Sequence, residues 1–561
     1  MRYVHWSVAI ILLLSGCNGD FSQEKDEADH YIQNLEKENN ISYEKIVNTR
    51  GAYITSMCYT KTKDEATGEI SNPCYSCHTK GKIPNYFNDT NLQKEYSFPV
   101  EVLKNPFRNL FKDRSEKVVN ISDADILDYV RESNYFNNKG DIALQQKLPS
   151  GWKGYVPDCY YNFDEEGFDR DNSGKYTLWR AFRYYPFLGT FWPTNGSTDD
   201  VLIRLDRHFS LNRDGMFDKE VYKLNLAIVE ALIKEKDISI EPIDEALYNV
   251  DIDHDGRLGR AIKVSKNISA YVGYSGILLA NGEVHLAKGL FPEGTEFLHS
   301  VRYIDWNATK EHITIAPRMK ELRYAKKTKW LTYSNIERVA QSELWEAQMN
   351  DMTQGMMATF RGDYEEGLRN DLGWGYQGFI EDKKGALRPQ THEETIGCMG
   401  CHAHLGATTD SIFSFARKFE GIRKEEKMYG WNHWTQKGLM GIAEPKADYI
   451  SHSDVYEYSF YLKNNHSGNE FRNNDEVKDR FFDHNGTLKS EMIEQLHNDI
   501  SLLLFPSKKR ALALDKGYKF MVEEQSFIYG RDANVQPMKN VLREVKEAQE
   551  TLIEHMIVHL N

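Results

Sequence analysis

The sequence predicts a mainly α-helical body with irregular loops, an acidic insertion and a small antiparallel β-sheet. Three observations predict it. Apolar residues recur at helical spacing in several stretches, as in Val221, Leu224, Ile228 and Leu232. Three Asp/Asn-rich segments ending in or containing glycine lie between residues 169 and 256. A five-residue pattern, C-x-x-C-H, occurs twice, at Cys74–His78 and at Cys398–His402, in surroundings rich in aromatic residues, Asn and Gly.

The chain opens with an export signal over residues 1–17. Arg2 gives a positive start, and Val8 to Leu14 is an apolar run too short to cross a bilayer as a helix. Leu14-Ser15-Gly16-Cys17 resembles a bacterial lipobox. That resemblance implies that Cys17 becomes the lipidated first residue, and Asn18 in place of Asp implies the outer membrane rather than the inner one. The alternative is an ordinary cleaved signal in which Cys17 is incidental. Residues 18–40 are polar and read as a tether. Across the 561 residues, Asp plus Glu exceed Lys plus Arg by 84 − 70 = 14. This acidic balance argues against a nucleic-acid surface. It suits solubility, or a basic redox partner steered by charge.

Residues 41–149 form a first cofactor segment, with chain wrapped irregularly and a helix from Asp123 to Glu132 capped by Ser122. Residues 150–263 form the acidic insertion. Its loops carry Asp169, Asp171 and Ser173; Asn212, Asp214 and Asp218; and Asp251, Asp253 and Asp255. Alternating oxygen side chains around a glycine turn suit calcium, a hard cation, and the third loop matches best. The arrangement resembles an EF-hand, but the closing Glu is replaced by Arg180, Val221 and Ile262. Surface Asx turns are the alternative. A helix over Phe217–Glu235 separates the second and third loops.

Residues 264–330 read as a small sheet. Asn281-Gly282 joins two apolar runs, Ile277–Ala280 and Glu283–Leu286, as a hairpin signal. Phe297–Ile304 and His312–Ala316 continue as strands. Residues 331–561 hold a helix over Ser334–Asn350, the aromatic glycine run Gly373–Phe379, the second C-x-x-C-H and further helices, clearest at Met492–Leu504 and Val541–His559.

The repeated pentapeptide carries the chemical reading. Two thiols three residues apart reach one edge of a porphyrin, and the following His turns onto its iron. In these two pentapeptides the chain resembles the c-type cytochromes. The resemblance implies two covalent haem c groups, held by Cys74, Cys77 and His78 and by Cys398, Cys401 and His402. A split zinc site or a pair of redox dithiols would use the thiols but leave both His residues unexplained. For distal iron ligands the candidates are His299 at the first haem and His433 at the second, with Met428 and Met440 as alternatives. Of seven Cys, Cys58 and Cys159 remain, either as a disulfide or as two buried thiols.

The expected function is electron transfer by a dihaem lipoprotein in the bacterial cell envelope, with a redox partner protein. The inventory also resembles dihaem cytochrome peroxidases, which implies a haem c-dependent, peroxidase-like oxidoreductase with one open iron site. A calcium-stabilised binding protein is a third reading.

Overall fold

The computed structural model describes residues 20–39, 41, 54–190, 192–348, 360–363, 365–403, 405–420, 430–450, 452–466 and 474–559. Cys17 and Met428 lie outside them. Among the described residues, no helix is long and apolar enough to cross a membrane.

A nine-stranded antiparallel sheet organises the molecule. Its strands are β1 (Phe168–Arg170), β2 (Tyr176–Phe182), β3 (Thr198–Arg204), β4 (Glu296–Asn307), β5 (His312–Lys327), β6 (Arg361–Asp363), β7 (Gly367–Arg369), β8 (Trp374–Glu381) and β9 (Leu387–Pro389). The order across the sheet is β1-β2-β3-β4-β5-β8-β7-β6, with β9 also on β8. The expectation of a mainly helical, cytochrome c-like body with a small sheet is therefore corrected: the fold is mixed α/β, built on one large sheet.

The reason the sheet escapes a reading by hydropathy is that its strands bury charge. Every residue of β8 is buried, including Gln377 and Glu381. Glu381 accepts from Arg318 Nε of β5 at 2.6 Å and from Tyr303 OH of β4 at 2.6 Å. Lys327, at the end of β5, is fully buried against Asp410 at 2.7 Å. Buried ions persist only when paired and hydrogen-bonded. These pairs break the apolar alternation that marks a strand in sequence.

Two of the sheet's strands fall where the sequence puts them, but they are longer. β4 and β5 form a hairpin pairing Glu296 with Lys326 through Asn307 with His312, with register shifts on either side of Arg302. The expected hairpin at Ile277–Leu286 is absent; Tyr274–Ala280 is a short helix instead.

Helices cover the sheet. α1 (Asp123–Arg131) is capped by Ser122 Oγ, which accepts from Asp125 N at 3.1 Å. Its Ile126 and Val130 pack with Tyr303, Ala316 and Ile380 of the sheet. α2 (Lys219–Lys234) is capped by Asp218 and buries Val221, Leu224, Ile228 and Leu232 as their spacing predicts. α3 (His392–His402) carries the second pentapeptide on its final turns. α4 (Lys508–Glu524) packs on β4 and α1. Met492–Leu504 is two short helices rather than one, and no helix forms over Val541–His559.

Candidate functional site

The two pentapeptides converge. The first folds as a tight turn, with His78 N donating to Cys74 O at 2.8 Å and Cys74 N donating to Asn72 Oδ1 at 3.0 Å. Tyr75 between the thiols anchors this turn among Tyr449, Phe460 and Tyr461. The second ends α3, whose start is fixed by a capping box. Thr391 Oγ1 accepts from Glu394 N at 3.2 Å, and Glu394 Oε2 accepts from Thr391 N at 2.9 Å. Arg388 holds the same carboxylate through two contacts of 2.8 Å. The segment after α3 is clasped to the first pentapeptide. Asn85 Nδ2 donates to Leu405 O, Gly406 O and Thr408 O at 3.0, 3.0 and 3.1 Å, and Ala407 N donates to Cys77 O at 3.3 Å. Gly406 lies so close that a Cβ there would meet Thr79 O at 2.2 Å.

Where the segments meet, Cys58 joins them. His78 Nδ1 pairs with Asp89 Oδ2 at 2.9 Å, and the same ring engages the Cys58 thiol. Thr55 Oγ1 lies 3.4 Å from Cys58 Sγ. Burial alone would raise the Cys58 thiol, but the hydrogen bond and charge of His78, with Thr55, hold it below its ordinary value. For His78, burial is outweighed by Asp89 and Cys58, which push it up to about 10. The Cys58 thiol thus faces a His78 ring that Asp89 orients, in surroundings that favour the thiolate.

Cys77 and Cys401 lie near enough to Cys58 to feel its charge. Burial, then Cys401 and Cys58, hold Cys77 well above the ordinary thiol range. Burial, then Cys58 and Cys398, push Cys401 up to about 12. Cys58, Cys74, Cys77, Cys398 and Cys401 are all half-buried. Beyond them, His402 Nδ1 faces Ser411 O at 2.7 Å, and burial takes His402 down to about 4.

Sequence reasoning singles out the pentapeptides but not their partners. Asp89 and Thr55 carry no motif, and Cys58 reads as a disulfide candidate. That disulfide does not form: Cys58 and Cys159 are free thiols, with Cys159 buried near Asp169 and Asp158. His433 is also placed otherwise than expected. Its Nε2 meets Asp200 Oδ2 at 2.9 Å and its Nδ1 meets Thr435 Oγ1 at 2.7 Å, so both ring nitrogens are engaged. His299 lies 3.5 Å from Asp199 and within electrostatic reach of His402, away from His78, the residue it was matched with. Met440 is exposed.

The acidic loops resolve into turns and caps. Asp169 is fully buried, accepting from Tyr160 N, Asn162 N and Thr177 Oγ1. Asp171 accepts from Ser173 N and Lys175 N. Asn212 accepts from Asp214 N and Met216 N, and Asp218 caps α2. In the third loop, Asp251 accepts from Asp255 N and Gly256 N, Asp253 from Asp255 N, and Asp255 from Arg257 N. Buried Glu245, which the sequence did not reveal, joins this loop by accepting from Ile252 N at 2.6 Å and Gly259 N at 2.8 Å. Among the described residues, Glu245, Asp251 and Asp253 form the one group of ligand atoms set closely enough to hold a metal ion; all lie within 4.8 Å. It contains neither Cys nor His.

Comparison with known proteins bears on the same expectations. A family model described as ":-like lipoprotein" matches residues 44–500. A protein of Aquifex aeolicus (strain VF5) described as "Uncharacterized lipoprotein" is 33% identical over 524 residues, covering 85% of this chain and 84% of its own. No solved structure matches. These matches, the large sheet and the purely acidic ligand group overturn the expectation of two haem c groups. With it go the dihaem electron carrier and the peroxidase-like alternative. The pentapeptides stand in the sequence, but the body is built on a large sheet, and their imidazoles have protein partners, His78 in Asp89 and Cys58 and His402 in Ser411.

Proposed function

The chain belongs to this lipoprotein family, and from that premise we propose that it is an exported, lipid-anchored protein performing covalent chemistry through the Cys58 thiolate. Cys17 is the lipid attachment point and Asn18 directs the anchor to the outer membrane. The reaction class is nucleophilic attack by sulfur on an electrophilic substrate. Cys58 is the nucleophile, His78 its charge partner and proton carrier, and Asp89 the residue that orients His78. The observation that carries this reading is that one imidazole engages both the Asp89 carboxylate and the Cys58 thiol. Cys58 is half-buried rather than enclosed in the core.

The test is competitive alkylation of the reduced, full-length protein with iodoacetamide at pH 6, read cysteine by cysteine by mass spectrometry. Cys58 is expected to react ahead of Cys77 and Cys401, because its thiol is held below its ordinary value while theirs are held above it. His78→Gln should slow Cys58 by roughly ten-fold or more while leaving the other cysteines unchanged. Asp89→Asn should give a smaller loss. Modification of Cys58 no faster than Cys77 or Cys401 would overturn the reading.

A further inference from the structure

We propose that a cavity where β3 and β5 end and β4 begins binds a small phosphate dianion, as inorganic phosphate or as the phosphate end of a monoester. The site is separate from Cys58 and does not depend on its chemistry.

The cavity has a volume of about 210 Å3. Pockets for drug-sized ligands run from roughly 300 to 1,000 Å3, so the occupant is a small solute. Strand register sets one row of its lining. Arg204 of β3 lies opposite Glu296 of β4, and Glu296 lies opposite Lys326 of β5. Asp206 and Arg207 line it from the chain that follows β3.

The charge left over in this lining decides what it takes. Three cations, Arg204, Arg207 and Lys326, stand with two carboxylates, although acidic residues outnumber basic ones by 14 in the whole chain. Both carboxylates are engaged. Glu296 Oε2 accepts from Arg204 Nε at 2.5 Å, and its Oε1 accepts from Tyr324 OH. Asp206 Oδ1 accepts from His208 N at 3.2 Å and meets His208 Nδ1 at 2.7 Å. The cations are less committed. Arg207 is exposed and has no ion-pair partner among the described residues. Lys326 is 47% exposed, with its Nζ 3.7 Å from Glu296 Oε1. Arg204 directs Nε to Glu296 and Nη1 to Asp158, which leaves Nη2 without a hydrogen-bond partner among the described residues. Three open cationic groups suit the double charge and several oxygens of a phosphate dianion. A carboxylate, or the singly charged diester of a membrane lipid, would use fewer of them.

The cavity is also built to keep its shape. Arg204 lies 4.2 Å from the Trp179 ring and is pinned between Glu296 and Asp158, the latter at 2.6 Å. Leu178 of β2, also in the lining, has a φ of 70°, in the left-handed region that leucine rarely adopts. Tyr222 of α2 holds this wall. Its OH donates to Leu178 O at 2.9 Å and accepts from Leu205 N at 3.0 Å. Strain fixed by such bonds is a mark of a preformed binding site.

The test uses the full-length protein at pH 8, where inorganic phosphate is a dianion. Sodium phosphate replaces sodium chloride at constant ionic strength, and thermal unfolding and calorimetric titration read binding. Phosphate should raise Tm saturably at millimolar concentrations, as a ligand of the folded state does. The double variant Arg207→Ala, Lys326→Ala should weaken that binding roughly ten-fold or more and leave Tm in chloride unchanged, because neither side chain anchors the fold. Arg204 is left intact, since its loss would strand Glu296 and Asp158. Tighter binding of glycerol 3-phosphate than of inorganic phosphate assigns the site to a phosphorylated metabolite, and the reverse order assigns it to the free ion. Dimethyl phosphate, a singly charged diester, should bind roughly ten-fold more weakly or worse; equal binding overturns the choice of a dianion. A Tm no higher in phosphate than in chloride, or binding that the double variant retains in full, overturns the site.

Discussion

Asp199 on β3 shows how far a single buried group departs from its look in sequence. Within Thr198-Asp199-Asp200-Val201 it reads as part of an acidic loop region, yet its side chain is buried and accepts from Tyr184 OH. Burial is the main reason that its carboxyl is pushed up to about 7, with the neighbouring Asp200 adding to it. Asp200 goes the opposite way, because His433, Arg302 and Ser300 overcome its burial. The folded state therefore binds a proton at Asp199 that the unfolded chain releases near pH 4. That contribution is most favourable below the unfolded value and is lost as pH rises through about 7. Asp199→Asn keeps an acceptor for Tyr184 but cannot ionise. It should raise stability at pH 8 by an amount on the order of 2–4 kcal/mol and bring little or no gain at pH 4, read as Tm against pH. A variant whose advantage is the same at both values would show that Asp199 is not held as an acid. None of this was legible in the chain, since a carboxylate's neighbours across a sheet leave no local trace.

The elements divide into those with a local signal and those without one. α1 was legible because cap and apolar stripe coincide, Ser122 before Ile126 and Val130, and α2 through its apolar stripe of Val221, Leu224 and Ile228, whereas its cap Asp218 read as a calcium-loop residue. β2, β3 and β8 were not, because Arg180, Asp199, Asp200 and Glu381 occupy buried positions and are satisfied by partners on other segments. Val541–His559 misled in the other direction. Its apolar residues sit on extended chain that meets the first segment, with Leu542 N donating to Tyr59 O at 2.7 Å and Val545 N to Leu103 O at 2.8 Å. The capping box of α3, Thr391 with Glu394, was missed. It fixes the helix that presents Cys398, Cys401 and His402. Thr391→Ala removes the acceptor for Glu394 N and should cost about 1 kcal/mol, read by chemical denaturation. The fraying would begin seven residues before Cys398, whereas unchanged stability would show that Arg388 alone holds Glu394.

At the scale of the whole molecule, the site exists because the sheet brings distant chain together, and Asn85 closes the last gap. Its amide donates to three carbonyls, those of Leu405, Gly406 and Thr408, while its own Oδ1 accepts from Phe87 N at 3.1 Å. One buried side chain thus bonds backbone groups on both segments. In sequence Asn85 was part of an aromatic, Pro- and Asn-rich stretch near the first pentapeptide, with nothing to show that it reaches the second. Asn85→Ala strands these carbonyls and should destabilise the protein by about 1–3 kcal/mol. Asn85→Asp is the sharper variant, since a carboxylate cannot donate and would turn its charge on the same three oxygens. Both should lower the stability of the protein far more than they slow alkylation of Cys58, because Cys58, His78 and Asp89 all belong to the first segment and keep one another. An equal loss of stability and of alkylation rate would mean that Asn85 supports the first segment rather than its junction with the second.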